Sequence, residues 1–151
     1  MLLLSEARYR EAEAAFRKAL ESSPNYSQAH NNLAVLLERQ GKFEEAIRHY
    51  QAAIDNEPHN REAHFQLGRL LLSRGRNDDA IHHFEQALTP EDEQTPRFLY
   101  ALGVAHATAG HYASAEQYLR QAGERAASLG QSKLAQEIET SLRRVEQTGG
   151  R

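Results

Sequence analysis

The chain has 151 residues, enough for one compact domain or a short array of smaller units, and 40% of them are hydrophobic, which supplies a core. Lysine plus arginine total 18 against 21 for aspartate plus glutamate, and this near balance (formal charge -3) excludes a general electrostatic grip on nucleic acid or anionic lipid. With no cysteine there are no disulfides, thiolate metal sites or thiol nucleophiles, and the redox compartment stays open.

Alanine, leucine, glutamate, glutamine and arginine dominate, residues that lose little rotamer freedom in a helix, so an all-α chain is predicted. It opens on Met1 to Leu4, an apolar run far shorter than the ~18 residues of a membrane span or the ~7 of a signal-peptide core, so neither membrane insertion nor targeting is expected. Residues 1–26 then carry Tyr9, Ala12, Phe16, Ala19 and Pro24, half of a unit that is complete further on. Aligned with the later units, Met1 falls in the middle of a first helix A. The segment is therefore expected to hold a truncated helix A plus a helix B, with Leu2, Leu3 and Leu4 lacking their usual neighbours. This favours a piece of a longer protein over a short natural start whose leucines pack onto Phe16.

The first full unit, 27–60, has Leu33, Ala34 and Leu37 on one side of its helix A, and Ala46, Ile47, Tyr50, Ala53 and Ile54 at three- and four-residue steps along its helix B. Gly41 ends helix A because a residue without a β-carbon tolerates the left-handed conformation. Glu44 and Glu45 complement the positive end of helix B, and Pro58 keeps Glu57 out of helical geometry. The offsets recur in 61–95 (Leu67, Gly68, Leu71, Gly75, Ala80, Phe84, Ala87) and in 96–130 (Leu102, Gly103, Gly110, Tyr112, Ala115, Leu119, Ala122), shifted by 34 and then 35 residues. The extra residue falls in the proline-bracketed stretch from Thr89 to Pro96, where an insertion costs little. Small residues at Ala34, Gly68, Ala46, Ala80 and Ala115 let the two helices approach. Residues 131–147 read as an amphipathic capping helix with Leu134, Ala135, Ile138, Leu142 and Val145 on one face, and 148–151 as a frayed tail.

At these positions the sequence resembles the tetratricopeptide repeat family, over roughly residues 1 to 128. His30 and His64 depart from it at the first large position, Asn77 replaces an aromatic ring, and His106 replaces Tyr or Leu and predicts a weaker seam. The resemblance implies a right-handed α-solenoid of antiparallel helix pairs with a C-terminal cap helix, since one pair cannot cover its own apolar faces. It further implies that positions 2, 5, 9, 12 and 13 of each helix A line a concave groove. These are Gln28, Asn31, Val35, Glu38 and Arg39; Glu62, Phe65, Arg69, Leu72 and Ser73; and Arg97, Tyr100, Val104, Ala107 and Thr108.

Within that lining, Phe65 and Tyr100 are equivalent rings flanked by Arg69 and Arg97, which suits a peptide with an apolar anchor and an acidic neighbour. Asn31 and Asn32 offer hydrogen bonds to an extended backbone, but the positions matching Asn32 are Gln66 and Ala101, so an asparagine ladder is incomplete. Glu62 and Gln66 stand where the chaperone-tail clamp of some relatives needs basic groups, so no binding of such tails is expected.

The histidines give no i, i+4 pair with a nearby carboxylate, so no metal site is expected, and no cofactor. No nucleophile elbow, phosphate loop or Ser/His/Asp spacing appears, and the acidic doublets sit at helix starts, so no catalytic residues are assigned. The expected role is a non-catalytic scaffold binding a protein or peptide in the groove, through Asn31, Val35, Arg39, Phe65, Arg69, Leu72, Arg97, Tyr100 and Val104. The alternatives are self-assembly through Leu2, Leu3 and Leu4, giving a homo-oligomer, or a regulatory appendage of a larger enzyme or secretion protein. The compartment expected is the cytoplasm, or the periplasm for a fragment of an exported protein.

Overall fold

The computed structural model describes the backbone of residues 2–149 and the side chains of residues 8–149. Among the described residues there are eight helices and no strands: α1 (Leu2–Ser22), α2 (Ser27–Arg39), α3 (Phe43–Asn56), α4 (Arg61–Ser73), α5 (Asn77–Ala87), α6 (Thr95–Thr108), α7 (Tyr112–Ser128) and α8 (Ser132–Gly149). They fall into two compact units, Met1–Leu67 and Gly68–Arg151, with α4 opening in the first and closing in the second.

In the first unit α2 and α3 pair through Leu33, Ala34, Leu37, Ala46, Tyr50 and Ala53, all fully buried. The turn between them is a Schellman motif. Gly41 takes φ 75°, the Lys42 N–H donates to Leu37 O (2.9 Å) and the Gly41 N–H to Glu38 O (3.0 Å), so two orphan carbonyls of the helix end are satisfied. The same bonding closes helices at Gly75, Gly110 and Gly130. At the other end of α3, Glu57 is extended at φ -134°, as the following proline requires. Ser27, buried at the start of α2, donates to Ala53 O (3.0 Å) and accepts from Asn60 Nδ2 (3.1 Å). Asn60 Oδ1 in turn caps α4 by accepting from the Ala63 N–H (3.0 Å), so one hydroxyl and one amide tie three helix ends together.

The segment 1–26 differs from its expected form. No break separates a helix A from a helix B: α1 runs unbroken from Leu2 to Ser22. The physical reason is that Ala7 stands 34 residues before Gly41, and alanine continues a helix where glycine would close it. The side chains of Leu2, Leu3 and Leu4, assigned to self-association, lie outside the described residues.

In the second unit the buried seam is Phe84, Phe98, Leu99, Leu102, Ala115, Leu119, Ala122, Ala126 and Ile138. The helices approach closely at glycine. A β-carbon on Gly68 would stand 2.8 Å from the Phe84 ring, and one on Gly103 2.8 Å from Leu119. α8 packs on α7 and reaches α6, with Ile138 and Val145 inward. It continues to Gly149, so the first two residues of the expected frayed tail are helical, while Gly150 and Arg151 lie outside the described residues. The loop before α6 is held by a bidentate pair from Arg125 to Glu91 (2.6 and 3.0 Å) and by Gln131 Nε2 donating to Glu93 O (2.8 Å).

Candidate functional site

The expected groove residues lie in both units. In the first, Asn31, Val35 and Arg39 follow one another at four-residue steps on α2, one face of the helix. Arg39 is exposed, donates to Tyr9 Oη (3.2 Å) and places its guanidinium carbon 6.0 Å from the Tyr9 ring centroid, while Val35 is half-buried. Asn31 is only 6% exposed, and its Oδ1 is enclosed without a hydrogen-bond partner, so that oxygen is turned away from solvent. Phe65 is 4% exposed and belongs to the core. Its ring has little surface left for a ligand.

In the second unit Arg69 and Leu72 sit on the closing turns of α4, exposed and half-buried respectively. On α6, Phe98, Leu99, Leu102 and Ala105 are buried, whereas Arg97 is exposed and Tyr100 and Val104 are half-buried. Arg97, Tyr100 and Val104 are spaced three and then four residues apart and form one stripe. Tyr100 shares a hydrogen bond of 3.0 Å with Ser141 Oγ on α8. Below it Val104, Ala107 and Thr108 of α6 meet Tyr112 and Leu119 of α7 and Ser141, Arg144, Val145 and Thr148 of α8 around a pocket of about 340 Å³. The α8 contribution is absent from the groove expected on repeat positions alone, and its only signal in the sequence is that the capping helix occupies the place of a further helix A.

The histidines take structural places. His30 and His64 each donate from Nε2 to a carbonyl six residues earlier, Pro24 (2.9 Å) and Pro58 (3.0 Å), so the departure at the first large position fastens the preceding loop. His30 Nδ1 faces His49 Nδ1 at 2.9 Å, and a carbonyl can only accept, so neutral His30 uses Nδ1 as acceptor and His49 donates. Burial first, then the charge of His30, push the His49 pKa down. His106 stacks on Tyr118 (5.2 Å, 13°), and both its ring nitrogens are enclosed without a hydrogen-bond partner. Burial, followed by His111, lowers its pKa. Among the described residues no three histidine, aspartate or glutamate side chains gather as a metal site, and no helix is long and apolar enough to cross a membrane.

Leu33, Leu67 and Leu102 are buried at matching places in α2, α4 and α6, and each of these helices is closed by the same glycine turn. Such repeating helix pairs define an α-solenoid protein. The family model described as tetratricopeptide repeat matches residues 1–61, 35–96 and 65–129, and the chain belongs to that family. No curated protein matches the sequence. Among solved structures the chain is similar to MamA (TM-score 0.73, 21% identity, 82% of this chain and 67% of that one). It is also similar to pilF of Pseudomonas aeruginosa (TM-score 0.72, 18% identity, 94% and 71%). A third likeness is to SycD, the type III secretion translocator chaperone of Yersinia enterocolitica (TM-score 0.74, 22% identity, 85% and 89%). At these identities the likeness is one of fold. Proteins of this repeat family are in general non-catalytic interaction modules, which makes a protein-interaction scaffold the class of this chain.

Proposed function

We propose that the chain holds a peptide segment of a partner protein against the helix-A faces of its repeats. The observation that supports this is the division of α6. One side is wholly buried, while the stripe of Arg97, Tyr100 and Val104 keeps accessible surface and combines a cation, a ring with a hydroxyl, and an aliphatic group. Aromatic rings and arginine are the side chains that carry most binding energy at protein interfaces, because they bury area at low entropic cost and offer directed donors. Leu72 and Arg69 add the same pairing of apolar and basic character on α4.

The test is affinity capture from the native lysate with the wild-type chain beside a Tyr100→Ala/Val104→Glu double variant, both shown by circular dichroism to be helical. The partner retained by the wild type is expected to be lost from the variant. Equal retention by both chains overturns the groove reading.

A further inference from the structure

The pocket bounded by α6, α7 and α8 narrows the peptide-binding reading, on which this inference rests, to a particular ligand chemistry. Its volume of about 340 Å³ is at the lower end of ligand sites in proteins, which start near ~300 Å³. Val104, Ala107, Leu119 and Val145 make its walls apolar, and Tyr112, 37% exposed, adds an accessible ring. The serine and threonine hydroxyls in the lining are already engaged: Thr108 and Thr148 donate to carbonyls of their own helices, and Ser141 bonds Tyr100.

Charge decides the rest. No acidic side chain lines the pocket, and Arg144 is its single charged residue. Of the four arginines on α7 and α8, Arg120 pairs with Glu116 and Glu146, Arg125 with Glu91, and Arg143 with Glu139. Arg144 is exposed and makes no ion pair or side-chain hydrogen bond among the described residues. A free guanidinium beside an apolar recess presents a planar fork that matches a carboxylate bidentately, with room next to it for a hydrophobic group.

We infer that this pocket anchors a bulky apolar side chain of a partner polypeptide whose adjacent residue is acidic, the carboxylate pairing with Arg144. A polypeptide fits better than a free fatty acid because Val104 belongs both to the pocket wall and to the α6 stripe, so a chain leaving the pocket has a surface to follow toward Tyr100 and Arg97.

The test is selection of a phage-displayed random peptide library on the intact chain, followed by fluorescence anisotropy with one selected, labelled peptide. Selected sequences are expected to place Phe, Leu, Ile or Met next to Asp or Glu. Arg144→Gln in the chain and the acid-to-amide change in the peptide should each weaken binding roughly tenfold, the expected size for a lost charge-assisted bond. Together they should cost no more than either alone, because they remove one shared interaction. Selected peptides without the acidic neighbour, or peptides insensitive to Arg144→Gln but lost with Tyr100→Ala, overturn the pocket and leave the groove reading standing. A library that yields no binder overturns both. A concentration-dependent dimer in sedimentation that Arg144→Gln abolishes would assign the pocket to a second copy instead and overturn the inference.

Discussion

Gly103 on α6 lies so close beneath Leu119 on α7 that a β-carbon there would stand 2.8 Å from Leu119 Cγ and 3.3 Å from its backbone nitrogen. The absence of a side chain sets the spacing of this helix pair. Alanine at Gly103 would gain about 1 kcal/mol of helix propensity but force apart a packed seam, which costs about 1–3 kcal/mol. A net loss of about 1 kcal/mol is expected for Gly103→Ala by urea denaturation. Gly123 on α7 is the control, because a β-carbon there meets only Ile138 Cγ2 at an ordinary 3.5 Å. Gly123→Ala should stabilise by about 0.5–1 kcal/mol. The idea fails if both changes move stability in the same direction.

Phe65 and Tyr100 occupy equivalent repeat positions yet have unequal surroundings. Phe65 is buried, so Phe65→Ala should cost about 3 kcal/mol or more through lost transfer energy and a cavity. Tyr100→Phe loses only the bond to Ser141 and should cost about 1 kcal/mol. Thermal melts of the two variants separate a core residue from a surface one, and a mild effect of Phe65→Ala would return it to the groove.

That contrast shows where the sequence was informative and where it was not. Helix pairing and turns could be read because they rest on local chemistry: a glycine closing each helix A, Pro58 ending α3, and alanines at the crossing points. The unbroken α1 follows from one residue, Ala7, whose meaning appears only when it is set against Gly41. Burial of Phe65 and of the Asn31 oxygen was not legible, since repeat position fixes the direction of a side chain but the neighbours decide how much surface remains. Arg144 escaped notice for the same reason. Its freedom depends on which carboxylates Arg120, Arg125 and Arg143 have already taken.

Asn60 should matter beyond its own helix. It caps α4 through its oxygen and holds Ser27 through its nitrogen. Its nitrogen also donates to Glu57 Oε2 (3.0 Å), so Asn60→Ala removes three bonds and should cost about 2 kcal/mol, whereas Asn60→Ser keeps an acceptor for the Ala63 N–H without setting a second carboxylate against Glu57 and should cost about half as much. Chemical denaturation of the pair checks the ranking, and equal losses would mean that the bonds from the amide nitrogen to Ser27 and Glu57 carry the whole effect.

The two half-buried histidines with lowered pKa values, His49 and His106, give the chain an acid limb that can be assigned residue by residue. The pKa values of His49 and His106 are both lowered in the folded state, chiefly by burial, so the unfolded chain binds protons more readily. Stability is then complete above the unfolded histidine value of about 6.5 and falls as pH drops through that value toward the depressed folded ones. Around His49, Glu45 opposes the shift while His30, Arg17 and Arg48 reinforce it; around His106, Glu85 opposes and His111 reinforces. Replacing His106 by leucine removes two enclosed, unpartnered nitrogens, so His106→Leu should raise stability at neutral pH by about 1 kcal/mol and make the acid slope shallower by up to about one proton. His49→Gln keeps a donor for His30 and should flatten the slope with little change at neutral pH. Unfolding free energies measured across the acid range decide the matter: a slope unchanged in both variants would assign the acid limb to other groups, among which Glu13 and Glu45, held low by hydrogen bonds from Gln40 and Arg17, titrate only at lower pH.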